Sequence, residues 1–486
     1  MTENNVQTTN PESLTTITEW VENHWNEFLA DLESLISIAS IEDTQSASAN
    51  APWGKAPLEA LLKTLEIAER LGFTTTNLNG AIGYGDIAGK SEKQLAIIGH
   101  TDVVPAGSGW DFEPFALTKK DGYLIGRGVI DDKGPLLCAL YALAYYAQTT
   151  NEVPYTLRAI IGANEETGMG DLAVYQKHCS DPEFLFTPDS NWPLIYGEKG
   201  MWQAHIKSAP IEGGHIIEWA GGSVANAVPG TAHALVRVPA AFDTDKLPHA
   251  ENITVKLCTH DAHPALSITT QGKSAHASTP ELGRSAINML AHYILDLNLL
   301  IPGFICTDEQ AFLELVARLS DTYDGESVGL NTTDESFGAL TFVAGLAAKE
   351  GSALTQTIDI RYPTSIDKTT IEHALSALVQ TTGASLEVTN AQVPFLMNPS
   401  GPEITALMDA YKQVTGDKHE PFTIGGGTYA RHFKNAVSFG MEKSWQKEAE
   451  WVGGMHGPNE AVREADMKEA MIVYIKAIQN LCKIEF

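Results

Sequence analysis

The stretch Leu95-Ala-Ile-Ile-Gly-His-Thr-Asp102 runs four apolar residues directly into a histidine and an aspartate. Two later apolar stretches repeat this pattern, because one leads into Glu165-Glu166 and the other leads to Asp189. A strongly helical segment lies between the first two stretches, and alternating strands and helices are typical of a layered α/β sheet. Such sheets bind ligands at the ends of their strands. The pattern therefore predicts an α/β domain in which a central mixed sheet is flanked by helices.

The pattern of apolar residues changes at about residue 199. From there the chain shows alternating half-exposed strand patterns interspersed with helical ones, which indicates an α+β domain. The final stretch returns to helices and glycine turns and contains a further histidine motif. The simplest organisation is a catalytic domain formed by residues 1–198 and 390–486 and interrupted by an inserted α+β domain at residues 199–389.

The charge and composition of the 486-residue chain narrow the classes of partner. Its net charge is −29, and such a field repels phosphate backbones and anionic lipids, so nucleic acid and membrane surfaces are poor candidates. No signal peptide is visible in the polar residues 1–12, and no apolar run approaches the roughly 18 residues of a membrane span. The five cysteines show no C-x-x-C spacing, which argues against a disulfide framework and a thiolate zinc site. A reducing cytoplasm is therefore the expected compartment.

Five short motifs concentrate histidines and carboxylates, the side chains that bind divalent cations. They contribute the candidate ligands His100, Asp131, Glu166, Asp189 and His456. Adjacent acids such as Asp131-Asp132 repel each other and are stabilised by solvent or a cation. Mixed carboxylate and imidazole ligands suit zinc, manganese or cobalt rather than calcium. If one carboxylate is shared, the five ligands form two three-ligand sites, and two metal ions about 3.5–4 Å apart clamp and acidify a bridging water.

Each of these motifs alone is better explained as a solvated surface, since short motifs have real false-positive rates. Their joint occurrence at successive strand ends favours a metal site over a solvated surface. Asp102 supports the interpretation as a metal site, because on an extended chain its side chain lies on the same side as that of His100. Its carboxylate could there orient the imidazole of His100.

These residues, in this order, resemble the co-catalytic di-zinc peptidase and deacylase family that includes aminoacylase, glutamate carboxypeptidase, carnosinase and succinyl-diaminopimelate desuccinylase. The likeness is greatest to PepV-type bacterial dipeptidases and extends from about Thr16 to the C-terminus. Its strongest stretches are Gly99-His-Thr-Asp-Val-Val-Pro-Ala-Gly107 and the Gly-Arg-Gly and Asp-Asp-Lys-Gly sequences between Gly126 and Gly134. The resemblance implies a metallopeptidase with two divalent metal ions per subunit, zinc in the first place and manganese or cobalt as alternatives.

Carried over position by position, the resemblance assigns a role to each motif. It implies the ligands His100 and Asp189 for one cation, Glu166 and His456 for the other, and Asp131 as the bridge. It also implies that Asp102 supports His100 and that Glu165 is the general base. The peptide bond Asp131-Asp132 is expected to be cis.

The resemblance also implies that the inserted α+β domain is a lid domain, and further matches lie in or near it. His276 resembles the histidine that stabilises the tetrahedral intermediate, and Asn226 resembles an asparagine that assists it. Arg361 resembles the arginine that grips the C-terminal carboxylate of the substrate. The alternatives are an exposed histidine in a turn, a capping asparagine and an arginine on a strand face. Gly426 lies in a run of three glycines that resembles a loop bordering the substrate pocket, and a flexible turn is its alternative.

The expected reaction is hydrolysis of a dipeptide by a water that bridges two metal ions, with Glu165 moving the proton. The alternative within the family is an amide deacylase of the succinyl-diaminopimelate desuccinylase or acetylornithine deacetylase type. Asp189 argues against it, because those deacylases usually carry glutamate there. The long insertion also favours the PepV-type branch, in which an enlarged lid replaces the dimer partner, and it predicts a monomer. A metal-dependent binding protein without turnover is a third alternative, disfavoured because Glu165 and His276 are both present.

Overall fold

The computed structural model describes residues 13–240, 242–244 and 247–486, and the polar segment 1–12 considered above lies outside them. The chain divides into two compact units. The first consists of Met1–Tyr196, Leu396–Phe422 and Gly427–Phe486, and the second of Gly197–Phe395 and Thr423–Gly426. The assignment of residues 1–198 and 390–486 to a catalytic domain, and of residues 199–389 to a lid, stays a prediction.

Nine α-helices form within the described residues. In chain order they are α1 (Leu14–Ile36), α2 (Lys55–Arg70), α3 (Lys133–Thr149), α4 (Gly170–His178), α5 (Ala286–Leu300), α6 (Thr307–Ser320), α7 (Lys368–Gln380), α8 (Pro402–Thr415) and α9 (Glu464–Leu481). The hydroxyl of Ser13 caps α1 by accepting the N–H of Thr16, and the buried residues of α1 recur every three or four positions, as on one helix face. In the part of the chain that the structure describes, every helix is too short or too polar to cross a lipid bilayer.

The strands are mostly short, and many follow one another without an intervening α-helix. They are β1 (Thr74–Leu78), β2 (Ile82–Ile87), β3 (Ser91–His100), β4 (Thr118–Lys120), β5 (Tyr123–Ile125), β6 (Tyr155–Gly162), β7 (Phe184–Thr187), β8 (Ile195–Glu198), β9 (Gly200–Lys207), β10 (Ile216–Gly221), β11 (Ala227–Val228), β12 (Thr231–Arg237), β13 (Ile253–His260), β14 (His263–Gln271), β15 (Ala275–His276), β16 (Thr333–Asp334), β17 (Gly338–Ala339), β18 (Thr341–Glu350), β19 (Ala353–Tyr362), β20 (Ser385–Gln392), β21 (Phe395–Leu396), β22 (Phe422–Ile424), β23 (Ala436–Ser438) and β24 (Ala461–Arg463).

The first unit contains a mixed sheet whose strands follow the order β1-β2-β6-β3-β7-β23. β3 runs parallel to β6 and β7, whereas β2 pairs antiparallel with β1 and β6. Residues 95–98 of β3 are each at most 1% exposed, which explains their continuous apolar run, since central parallel strands are covered on both faces. The core of this unit combines the sheet with α1, α2, α3, α8 and α9. The predicted α/β class, a central mixed sheet flanked by helices, is confirmed.

The second unit is built on an eight-stranded sheet with the order β13-β14-β12-β10-β18-β19-β9-β20. Its neighbouring strands are antiparallel throughout this order. Burial alternates strictly along β9, as expected of a sheet with one face against a core. Apolar residues of α5, α6 and α7 complete that core. The predicted α+β composition of the inserted region is therefore confirmed.

Candidate metal centre

Three neighbouring strands of the first unit deliver candidate ligands to one edge of the sheet. β3 ends at His100, β6 is followed by Glu165 and Glu166, and β7 is followed by Asp189. Because β3 is parallel to both of its neighbours, the three carboxyl ends meet at the same edge. The sheet thus gathers these side chains, as the strand-end pattern predicts.

Asp131 reaches this edge from the loop that precedes α3. The peptide bond Asp131-Asp132 is cis, as the resemblance implies. Oδ2 of Asp132 accepts a hydrogen bond of 3.1 Å from the backbone N–H of His100, which ties the loop to the end of β3. Gly99 permits this approach, because a Cβ at that position would collide with Oδ2 of Asp132.

The carboxylate of Asp131 lies between the two candidate histidines. Its Oδ1 is 3.0 Å from Nε2 of His100, and its Oδ2 is 2.9 Å from Nε2 of His456. Nε2 of His100 is also 3.5 Å from Oδ2 of Asp189. Nε2 of His456 is 3.0 Å from Oε2 of Glu166. The two oxygens of Asp131 therefore face two different histidines, each of which has a second carboxylate of its own.

Two overlapping groups of these side chains have the spacing of metal ligands. One group is His100, Asp131 and Glu166, the other is His100, Glu165 and Asp189, and the ligand atoms within each group lie within 4.8 Å of one another. Glu165, which the resemblance assigns as general base, thus lies as near to His100 as a ligand would. The distances are compatible with either role, and metal analysis of a Glu165→Gln variant separates the two.

His100 presents Nε2 to this cluster because its other ring nitrogen is already used. Nδ1 lies 3.0 Å from the backbone carbonyl oxygen of Asp102, which can only accept, so Nδ1 carries the proton. Nε2 is buried and makes no hydrogen bond, although Oδ1 of Asp131 lies at contact distance. A buried Nε2 with a free lone pair is the atom through which a neutral histidine binds a metal ion.

Most of the pKa shifts in the cluster indicate that its side chains are stabilised by added positive charge. Burial would lower the pKa of His100, but the surrounding carboxylates, Asp102 first, raise it well above its usual range. Hydrogen bonds to Asp131 and Glu166 raise the pKa of His456 to about 10. Burial also raises the pKa of three carboxyl groups, those of Glu165, Glu166 and Asp189. Each of these five shifts favours the protonated form. Burial would raise the pKa of Asp131, but His100 and His456 hold it well below its usual range. Divalent cations would supply the positive charge that these carboxylates favour, so donor set and charge both fit a metal centre.

Asp102 has a second role that the sequence spacing does not reveal. Its backbone carbonyl is nearer to Nδ1 of His100 than its carboxylate, at 3.0 Å against 3.4 Å. The carboxylate itself accepts the backbone N–H groups of Glu165 and Glu166, each at 3.1 Å. Asp102 therefore positions the loop that carries both glutamates, although it lies 63 residues from Glu165 in the chain.

Asp171 is a buried carboxyl group that sequence reasoning missed. Its Oδ2 accepts the backbone N–H groups of Ala163 at 2.8 Å and Asn164 at 3.1 Å, and the hydroxyl of Tyr429 at 2.6 Å. It thereby holds the segment that immediately precedes Glu165. Burial raises the pKa of Asp171 to about 6. In a single sequence it looks like an ordinary acid in the first turn of α4, so no signal marks it.

Two residues predicted to assist the oxyanion are neighbours in the second unit. The strands β11 and β15 are paired, and the carbonyl oxygen of Asn226 accepts the N–H of Ala277 at 2.9 Å. Nδ1 of His276 accepts the backbone N–H of Ser278 at 3.2 Å, so the ring proton resides on Nε2. Burial, followed by the positive charge of Arg361, lowers the pKa of His276. The lowered pKa favours the neutral ring of His276, which donates through Nε2.

Arg361 contacts the glycine run that contains Gly426. Its Nη1 donates to the carbonyl oxygen of Gly425 at 3.2 Å, and its Nε and Nη2 donate to Asp359 at 2.6 and 3.0 Å. Gly425 has to be glycine, because a Cβ there would lie 2.7 Å from the Cβ of Ser278. A Cβ at Gly426 would meet its nearest neighbour only at 3.4 Å. Within the second unit the loop therefore lies close to the His276 segment, and the substrate contacts of these residues stay predictions.

Known proteins resemble this chain over nearly its whole length. A family model described as Peptidase family M20/M25/M40 matches residues 96–480. A protein of Staphylococcus epidermidis named "Putative dipeptidase" is 32% identical over 469 residues, which is 94% of this chain and 97% of that protein. A protein of Staphylococcus haemolyticus with the same description is 31% identical over 484 residues, 96% of this chain and 99% of its own.

Solved structures share the fold at much lower sequence identity. Human carnosine dipeptidase 1 matches 98% of this chain and 100% of its own, with a TM-score of 0.59 and 14% identity. The di-peptidase Dug1p of Saccharomyces cerevisiae matches 98% of this chain and 99% of its own, with a TM-score of 0.59 and 15% identity. The resemblance drawn from the sequence motifs is confirmed, because the family match spans every candidate ligand from His100 to His456. The chain is therefore a hydrolase that belongs to peptidase family M20/M25/M40.

Proposed function

We propose that this enzyme is a metal-dependent dipeptidase that hydrolyses the peptide bond of short, free-ended peptides. The observation that carries the proposal is the position of Asp131, whose two oxygens lie 3.0 Å from His100 and 2.9 Å from His456. One carboxylate between two histidines is the arrangement expected of a ligand shared by two cations. The relatives named as dipeptidases support the choice of substrate class.

The proposed ligands are His100 and Asp189 for one cation, Glu166 and His456 for the other, and Asp131 for both. Zinc comes first because imidazole and carboxylate ligands both suit it, and manganese or cobalt are alternatives. When bound, the two cations would polarise the scissile carbonyl and increase the acidity of the attacking water. The chain contributes the geometry, since His100, Asp131 and Asp189 are each held by a buried loop or strand end.

Glu165 is the proposed general base and acid. Its carboxylate takes a proton from the attacking water and later delivers a proton to the nitrogen of the leaving amine as the C–N bond breaks. Two features of the structure support this role of Glu165. Asp102 holds its backbone N–H at 3.1 Å, and burial raises the pKa of its carboxyl group, which favours uptake of the proton.

The second unit supplies the proposed substrate contacts. Nε2–H of His276 is the donor proposed to stabilise the oxyanion, because Nδ1 is occupied as an acceptor and the lowered pKa keeps the ring neutral. Asn226 assists it from the position just before β11, the strand that pairs with β15. Arg361 binds the C-terminal carboxylate of the peptide, and Gly426 forms part of the loop that borders the substrate.

Chelation and reconstitution test the proposal directly. Dialysis against a chelator is expected to abolish hydrolysis of a dipeptide panel, and zinc, manganese or cobalt, restored one at a time, is expected to recover it. N-succinyl and N-acetyl amino acids are assayed beside the dipeptides. Full dipeptidase activity in protein shown to be free of metal contradicts the proposal, and preferential cleavage of the acylated amino acids favours the deacylase alternative.

We also propose that the enzyme works as a monomer in a reducing cytoplasm. All five cysteines are free, as is usual in a compartment that keeps thiols reduced. The resemblance to PepV-type dipeptidases, in which the enlarged lid takes the place of a partner subunit, supports the monomer. Light scattering is expected to give the mass of one chain, 52.5 kDa, and a stable dimer would contradict this part of the proposal.

A further inference from the structure

Glu460 is a fully buried carboxylate that lies behind the candidate metal centre in the first unit. Its Oε1 accepts three backbone N–H groups, from Gly128 at 3.0 Å, Ile130 at 2.9 Å and Asp131 at 3.3 Å. Its Oε2 accepts Nη1 of Arg127 at 2.5 Å. Both oxygens are thus occupied by N–H donors, so Glu460 acts on the loop and not as a ligand itself.

The loop around Glu460 ends at the carboxylate that lies between the two histidines. Three N–H groups of one short segment converge on a single oxygen, which determines the course of the backbone up to Asp131. The backbone also contributes, because the carbonyl oxygen of Glu460 accepts the N–H of Gly126 at 3.0 Å. The neighbouring residues Ile125 and Ala461 lie opposite each other in the antiparallel pairing of β5 and β24.

The segment that carries Glu460 also carries His456. It is closed on itself, because the N–H of Gly453 donates to the carbonyl oxygen of Asn459 at 2.9 Å and the N–H of Gly457 donates to that of Gly454 at 3.0 Å. The side chain of Asn459 is anchored as well, since it exchanges hydrogen bonds of 2.8 and 2.9 Å with Asp111. A shift of this segment would therefore move His456 and the support of Asp131 together.

We infer that Glu460 is the positioning residue that holds the carboxylate of Asp131 in register with His456, so that its removal weakens the binding of both cations. This inference rests on the proposed metal centre. Residues that orient metal ligands without touching the metal change metal affinity by about 10–100-fold when they are substituted. Glu460 differs from an ordinary buried carboxylate because it acts on the one residue that both cations share.

The test is a titration of the metal-free enzyme with Co²⁺. Binding is monitored by calorimetry and by the visible absorption of bound Co²⁺. Glu460→Gln keeps the size of the side chain but turns an amide N–H₂ toward either Arg127 or the backbone N–H groups, so donors face donors. We expect Co²⁺ affinity to fall by about tenfold or more at both sites. Glu460→Asp keeps the charge and withdraws the oxygens, and it is expected to weaken Co²⁺ binding in the same direction.

Glu309 offers a matched control in the second unit. It is a buried carboxylate that accepts two backbone N–H groups, from Ile216 at 2.6 Å and Cys306 at 2.9 Å. Glu309→Gln is expected to lower the melting temperature of the metal-free protein without changing Co²⁺ affinity. If both Glu460 variants bind Co²⁺ as the unmodified enzyme does, the inference is wrong while the metal centre stands. If the unmodified enzyme binds fewer than two Co²⁺ ions, the proposed metal centre itself fails.

Discussion

Glu165→Gln is expected to lower kcat for dipeptides by about 10²–10⁴-fold while the enzyme retains two cations. The substitution removes the group that takes a proton from the attacking water, and it leaves the backbone contacts of the loop intact. Those contacts come from Asp102, which holds the N–H groups of Glu165 and Glu166 rather than their side chains. Steady-state kinetics, together with metal analysis of the same preparation, measure both halves of the expectation.

Glu166→Gln is the matched comparison, because it changes the neighbouring residue of the same doublet in the same way. Oε2 of Glu166 lies 3.0 Å from Nε2 of His456, so this variant is expected to lose metal first and activity as a consequence. An excess of added zinc should then restore part of the activity of Glu166→Gln and none of that of Glu165→Gln. If Glu165→Gln instead loses metal, Glu165 is a ligand, which its spacing with His100 and Asp189 would also allow.

Arg361→Lys is expected to raise KM for dipeptides by about 10–100-fold with a much smaller effect on kcat. Three of the five N–H groups of Arg361 donate hydrogen bonds, two to Asp359 and one to Gly425. One N–H group therefore remains on each of the two terminal nitrogens. These two N–H groups can grip a carboxylate with both oxygens, and lysine cannot. Hydrogen bonds to a charged group contribute about 1.5–3 kcal/mol, which corresponds to the expected change in KM.

Arg158 provides the control for the structural part of this effect. It forms the same fork with Asp86, with both contacts at 2.7 Å, in the sheet of the first unit. Arg158→Lys is expected to reduce thermal stability and to leave KM unchanged. Dipeptide amides, which lack the terminal carboxylate, should be equally poor substrates of the unmodified enzyme and of Arg361→Lys. An unchanged KM in Arg361→Lys would mean that Arg361 serves only its ion pair with Asp359.

The candidate ligands could be predicted from the sequence because each belongs to a short, local pattern. An apolar run followed by a polar residue marks the end of a buried strand, and parallel strands bring such ends together. His100 and Asp189 follow this rule directly, as does the doublet Glu165-Glu166. The pairing of His100 with Asp189 and of His456 with Glu166 was implied only by the family resemblance, since spacing along the chain carries no such information.

The backbone contacts of three supporting carboxylates lie beyond the reach of sequence reasoning. The carboxylates of Asp102 and Glu460 accept backbone N–H groups from distant loops, and that of Asp171 accepts them from the segment seven and eight residues before it. Every residue except proline offers the same N–H group, so these contacts leave no trace in the types of residue that they join. The direction of the Asp102 carboxylate, toward the glutamate loop, is for the same reason visible only in the structure.

The sequence by itself determined the α/β class, the donor types of the candidate metal centre and the strand ends at which they occur. These features depend on side-chain chemistry and on patterns within a few residues, which a single chain displays openly. The tertiary structure alone decided that Asp131 faces both histidines, and that Glu460 supports Asp131 from the segment of His456. The physical reason is that these contacts depend on the direction of backbone groups after folding. The types of residue in the sequence do not specify that direction.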